Sequence, residues 1–157
     1  MAPYLSKLCE SLTTSMIGDG RPIVLEVNSE GCSVTSREAV SLGLIVTELV
    51  LNALKHAFHD HTINHRIAVS YDVAGTNWRL SVADNGTGNP PGVFAQAKAG
   101  LGTSIVKALA QQLDARVEVL SGPHGTTVSV THATFVKTPQ AAWKAADVMQ
   151  PLIPGHA

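Results

Sequence analysis

The segment from Ser36 to about Phe58 most constrains this chain, because it reads as a single long helix that is apolar on most of its sides. No Gly-Pro punctuation interrupts it, and only Gly43 weakens it. Thr35 or Ser36 caps its start, with Glu38 in the first turn. Leu42, Ile45, Val46, Leu49, Ala53 and Ala57 share one face, and Leu44, Leu51 and Leu54 carry that face most of the way round. A helix this apolar is mostly buried, so the rest of the chain must supply what covers it.

Leu5, Leu8, Leu12 and Met16 recur at helical spacing and predict a helix over residues 3–17, ended by Gly18-Asp19-Gly20. Residues 22–27 read as a strand, and a shorter one is expected near residues 32–35. Alternation through Ile67, Val69, Tyr71 and Val73, then Trp78, Leu80 and Val82, predicts an antiparallel hairpin turned at residues 74–77. The glycines and Pro90-Pro91 within residues 86–100 mark a loop. Ile105, Leu109 and Leu113 begin a further helix, and residues 117–120 and 127–134 make a second hairpin. A short helix is expected over residues 140–149 of the Ala- and Pro-rich tail. This order predicts an α+β fold, with helices on one face of a sheet.

A chain of 157 residues is one domain by length. Eleven Lys and Arg against twelve Asp and Glu argue against general electrostatic binding to nucleic acid. Charged residues are 15% of the chain, below the usual value of about 25%, so part of the surface is available to meet a partner. No apolar run approaches the roughly 20 residues of a membrane span, and the N-terminus lacks the order of a secretion signal. Two cysteines, Cys9 and Cys32, fit a reducing, cytoplasmic setting.

Four features carry chemistry. Glu48, Asn52 and Lys55/His56 form a polar stripe on the long helix. It reads either as a solvated stripe in which Glu48 supports Lys55 and His56, or as an oxygen and cation site suited to magnesium and phosphate. Asp84 continues the parity of Leu80 and Val82 at the end of a strand, within A-D-N-G-T-G. The motif reads either as a plain turn or as a half-buried carboxylate that accepts from an exocyclic amine such as that of adenine, with Gly86 and Gly88 letting backbone approach a flat base. Gly100-Leu101-Gly102-Thr103-Ser104 opens a helix, where free amides favour anions. Gly125-Thr126-Thr127, taken alone, is a hairpin turn. His59, His61 and His65 lie in a polar stretch with no cysteine beside them, and a solvated loop is the favoured reading.

Together and in this order, E-L-V-L-N-A-L-K-H-A-F, A-D-N-G-T-G, G-L-G-T-S-I-V and H-G-T-T resemble the N, G1, G2 and G3 boxes of the histidine-kinase ATPase fold. The resemblance is to the ATP-binding catalytic domain of bacterial sensor histidine kinases (the GHKL superfamily, HWE-like group). It covers roughly residues 5–134. It implies the Bergerat ATP-binding fold, a two-layer α/β sandwich with a mixed, mostly antiparallel sheet and helices on one face. It implies ATP and magnesium as ligands. Asp84 would hold the adenine amine with Thr126 assisting through water, Asn52 would ligate magnesium, and Glu48 would orient or deprotonate at the reacting end. Lys55, His56, Gly100, Leu101, Gly102, Thr103 and Ser104 would meet phosphates, Gly86 and Gly88 would shape the base pocket, and residues 87–100 would form the lid.

The implied reaction passes the γ-phosphoryl of ATP to a histidine on a segment absent from this sequence, from which a response regulator takes it. On this reading residues 1–20 trail from the dimerisation and phosphoacceptor segment, residues 21–136 form the ATPase domain, and residues 137–157 are an unassigned tail. The domain alone is expected to be a cytoplasmic monomer that binds ATP with little turnover and touches neither nucleic acid nor membrane. The alternative is an anti-sigma-type serine kinase and partner-binding module of the same fold. Two departures stand out: the lid is short and contains Pro90-Pro91, and only Phe94 stands where a phenylalanine box is usual.

Overall fold

The long apolar segment folds as predicted, and its start is built by side chains. Thr35 Oγ1 accepts from the Glu38 amide at 3.3 Å, while Glu38 Oε2 takes the Thr35 amide at 3.0 Å and the Thr35 hydroxyl at 2.7 Å. This reciprocal capping box satisfies two backbone donors that the first turn leaves open. The computed structural model describes residues 1–16, 23–29, 33–56, 64–86 and 101–133, with backbone only at 16 and 101–103. Its elements are α1 (Ala2–Met16), β1 (Ile23–Ser29), α2 (Ser36–His56), β2 (His65–Ala74), β3 (Asn77–Asp84), α3 (Leu101–Gln112), β4 (Arg116–Gly122) and β5 (Gly125–His132).

The strands form one sheet in the order β1-β2-β3-β5-β4. β1 and β2 are parallel and joined through α2, and every other pair is antiparallel. The register aligns Val27, Val69, Val82, Val128 and Val119 into one row across all five strands. The next row is Ser29, Tyr71, Leu80, Val130 and Val117. β-branched side chains suit such a half-buried pleated surface. Buried side chains from these rows join Leu5 and Cys9 of α1, Leu42, Ile45, Val46, Leu49, Val50 and Ala53 of α2, and Val106 and Ala110 of α3 in one core. The helices therefore lie on one face, giving a two-layer sandwich with a mixed, mostly antiparallel sheet.

Two expectations need correction. Ser33–Thr35 carry no strand pairing; the extended backbone expected there belongs to the cap, whose residue stands outside the helix it starts. α2 is also long and apolar enough, by length and composition, to cross a membrane. No run is uninterrupted, because Thr47, Glu48 and Asn52 break it, and its apolarity is that of a core helix burying Leu42, Ile45, Val46, Leu49 and Val50. Cys32 and residues 140–149 lie outside the described residues. Cys9 is a buried packing residue whose thiol burial pushes up to about 11.

Helix ends are handled locally. Gly43 of α2 sits against the ring and hydroxyl of Tyr4, which lets α1 approach closely. α3 ends in a Schellman arrangement, with Ala115 N to Ala110 O at 2.9 Å and Asp114 N to Gln111 O at 3.1 Å. Asp114 takes the left-handed position at φ 50°.

Candidate functional site

Chain direction sets the location of the site. β1 and β2 run the same way, so α2 must return between them and bring its last turn back to the start of β2. Ile67 pairs with Asp84, so that end is also where β3 finishes. β4 is parallel to β3 by the order of the sheet, so α3 likewise starts where β3 ends. The last turn of α2, the first turn of α3, the end of β3 and the start of β5 therefore converge on one end of the sandwich. Binding sites at strand ends are a general outcome of such crossovers.

Asp84 lies on the helix-covered face, one step beyond the valine row. Its Oδ1 accepts from the Gly86 amide at 3.0 Å and from the Thr126 amide at 3.2 Å. Among the described residues no hydrogen bond reaches Oδ2. Burial pushes the carboxyl above its ordinary value, and the two amides oppose that shift. The result is a carboxylate held rigidly by one oxygen, with the other available to accept from a ligand amine.

The surrounding backbone is clamped by residues to which the sequence motifs assign no role. Asn85 Oδ1 accepts from the Arg66 amide at 2.7 Å, its Nδ2 donates to Asn64 O at 2.7 Å, and its own amide donates to Arg66 O at 3.1 Å. These three bonds tie the end of β3 to the start of β2. Gly125 adopts φ 133°, and a Cβ there would overlap the Asp84 carbonyl. Thr126 is only 8% exposed and shares a hydrogen bond of 2.9 Å with Ser121 Oγ, its register partner on β4. Ser121 is found in sequence only by counting pairs back from the two-residue turn Pro123-His124.

Glu48 and Asn52 lie one turn apart on α2 and are half-buried, while Lys55 and His56 are exposed in its last turn. Among the described residues Glu48 makes no ion pair with Lys55 or His56, so the reading of a self-supporting solvated stripe loses its contacts. No hydrogen bond joins this set to Asp84 among the described residues; only chain topology brings them to the same end. Leu101, Gly102 and Thr103 open α3, and Ser104 is exposed in its first turn. Gly88, Gly100 and the rest of residues 87–100 lie outside the described residues, as do His59 and His61. Among the described residues no three His, Cys, Asp or Glu side chains gather as a metal cluster. Asn52 and Glu48 offer two oxygen donors, a set that fits magnesium held otherwise by water and phosphate.

Residues 37–135 match the family model described as histidine kinase-, DNA gyrase B- and HSP90-like ATPase. The chain is 31% identical over 131 residues to blue-light-activated histidine kinase 2 of Erythrobacter litoralis, an alignment covering 83% of this chain and 37% of that protein. The chain thus spans well under half the length of that relative. The solved histidine kinase domain of the Erythrobacter litoralis EL346 blue-light-activated histidine kinase superposes with a TM-score of 0.73 at 30% identity, covering 83% of this chain and 63% of that one. An Acinetobacter baumannii histidine kinase shares the fold at 17% identity, with a TM-score of 0.64 over 85% of this chain and 64% of that one. With the motif boxes, the sandwich and the pinned carboxylate already in place, this chain belongs to the histidine kinase-, DNA gyrase B- and HSP90-like ATPase family, as a histidine-kinase-like ATPase domain homologous to those of bacterial sensor histidine kinases.

Proposed function

We propose that this domain binds ATP with magnesium and delivers the γ-phosphoryl to a histidine on a separate phosphoacceptor segment, from which a response regulator takes it. The observation that carries the reading is Asp84, pinned at one oxygen by two backbone amides and half-buried at the converging end of the fold. An acceptor-only group in that position suits the six-amino group of adenine and repels the six-oxo group of guanine. Gly86, whose amide donates to Asp84, and Gly88 would shape the base pocket, with Thr126 beside the carboxylate.

Asn52 would hold magnesium, and Glu48 would orient or deprotonate the group that receives the phosphoryl. Magnesium, when bound, neutralises charge on the phosphate oxygens. Lys55 and His56 would meet the phosphates from α2, and Gly100, Leu101, Gly102, Thr103 and Ser104 from the start of α3, where unpaired amides and the helix dipole favour anions. Phosphoryl transfer requires mainly positioning and charge stabilisation, which such a set supplies. Residues 1–20 would lead in from the phosphoacceptor segment, residues 21–136 would form the ATPase unit with residues 87–100 as its lid, and residues 137–157 are given no role. The domain would work in the cytoplasm, be monomeric alone and turn over slowly without its acceptor. The anti-sigma-type alternative is not favoured, since the relative and the solved structure at 30% identity or more are histidine kinases.

Calorimetric titration with ATP tests the assignment. Asp84→Asn should abolish measurable binding, because the added amide NH2 faces the adenine amine; unchanged affinity would sink it. Asn52→Ala should weaken binding in magnesium far more than in a chelator, and equal loss in both would remove Asn52 from the metal.

A further inference from the structure

We propose that Ser121 is a specificity-determining residue for the purine base, acting through Thr126. The inference rests on the reading of Asp84 as the adenine acceptor. Asp84, Thr126 and Ser121 form a continuous polar step across β3, β5 and β4, next to a row made entirely of valine. The Thr126 amide binds the carboxylate, which sets Thr126 next to Asp84, and the Thr126 hydroxyl meets Ser121 Oγ on the neighbouring strand. A purine presents two adjacent groups on that edge. Adenine offers a donor, the six-amino group, next to an acceptor, N1. Guanine offers the reverse, a carbonyl next to an N1–H. A site that selects adenine at both positions needs an acceptor paired with a donor.

Asp84 supplies the acceptor. Thr126 supplies the donor, directly or through a water, only when its hydroxyl hydrogen is not already spent within the protein. A Thr–Ser hydroxyl pair has two states: Thr126 donating to Ser121, or Ser121 donating to Thr126. In the second state Ser121 fills an acceptor position on Thr126 Oγ1 and leaves the Thr126 hydrogen for the ligand. In the proposed arrangement Ser121 is the donor in this pair, which leaves the Thr126 hydroxyl to act as a donor toward the ligand. Thr126 is buried and its hydroxyl needs a partner, whereas Ser121 lies on an edge strand and is exposed. Ser121→Ala thus removes the bias without opening the core, and the released Thr126 hydroxyl can rotate to accept the N1–H of guanine.

The test is calorimetric titration of the full chain with ADP and with GDP, for the parent, Ser121→Ala, Ser121→Thr and Asp84→Asn. Ser121→Ala should narrow the preference for ADP over GDP by about 3–10-fold, the range one hydrogen bond commands. Ser121→Thr should restore the parental preference. Equal weakening of both nucleotides, or no change in either, would overturn the role of Ser121. Asp84→Asn that still binds ADP as the parent does would overturn the underlying adenine assignment instead, whatever Ser121 does.

Discussion

Asp84 is retained at a cost to folding. Its folded pKa lies above the ordinary carboxylate value because burial disfavours the charge more than the Gly86 and Thr126 amides favour it. A group shifted in that direction supports folding most when protonated, below its unfolded pKa, and the support is lost as pH rises through the folded pKa. Asp84→Asn removes the charge while keeping an oxygen for both amides. The nucleotide-free variant should therefore melt above the parent near pH 7, with the difference shrinking as pH falls toward about 4. Scanning calorimetry across that range checks it; a lower melting temperature at neutral pH would show that the charge strengthens the two amide bonds by more than its burial costs. Such opposition between stability and binding is common where a site needs a desolvated charge. The face Asp84 occupies was legible from alternation with Leu80 and Val82. Asn85, Gly125 and Ser121 were not, because their roles arise from pairing across strands and from one backbone angle, neither of which has a local composition signature.

Among the elements, α2 was the most legible, since its spacing, Thr35 and Glu38 all point to one helix with one start. Its capping box predicts the size of a single substitution. Thr35→Ala leaves the Glu38 amide without its side-chain acceptor and should cost about 1 kcal/mol, measured by urea denaturation. The Thr35 hydroxyl and amide also hold the Glu38 carboxyl below its ordinary value, so the support from those two bonds, separate from the amide bond to Thr35 Oγ1, is present above the unfolded pKa and fades on acidification through the folded one. The expected strand at residues 32–35 failed for a related reason: a cap and a strand share extended backbone, and only a pairing partner separates them. Both hairpins were readable because short turns and alternation occur together in sequence. The parallel pairing of β1 with β2 was not, because nothing within either segment names a partner on the far side of α2.

At the scale of the whole molecule, the converging end shows how motifs so far apart in sequence come together: the crossover carrying α2 delivers the chain to where β3 ends, and the crossover carrying α3 departs from there. The same connectivity also governs the order in which the molecule can assemble. β2–β3 and β4–β5 close through two-residue turns, whereas Ile23 meets His65 only after the whole of α2 has been placed. Contacts that enclose a long stretch of chain are penalised by loop entropy and form late. Ile23→Val, at a buried position in β1, should cost about 0.5–1.5 kcal/mol. Stopped-flow chevron measurements should find that cost mainly as faster unfolding, while a substitution of comparable cost at Val82 in the β2–β3 hairpin slows refolding. An edge strand that joins last is also the one that leaves first, so rare openings of this domain should begin at β1, with the two hairpins still paired.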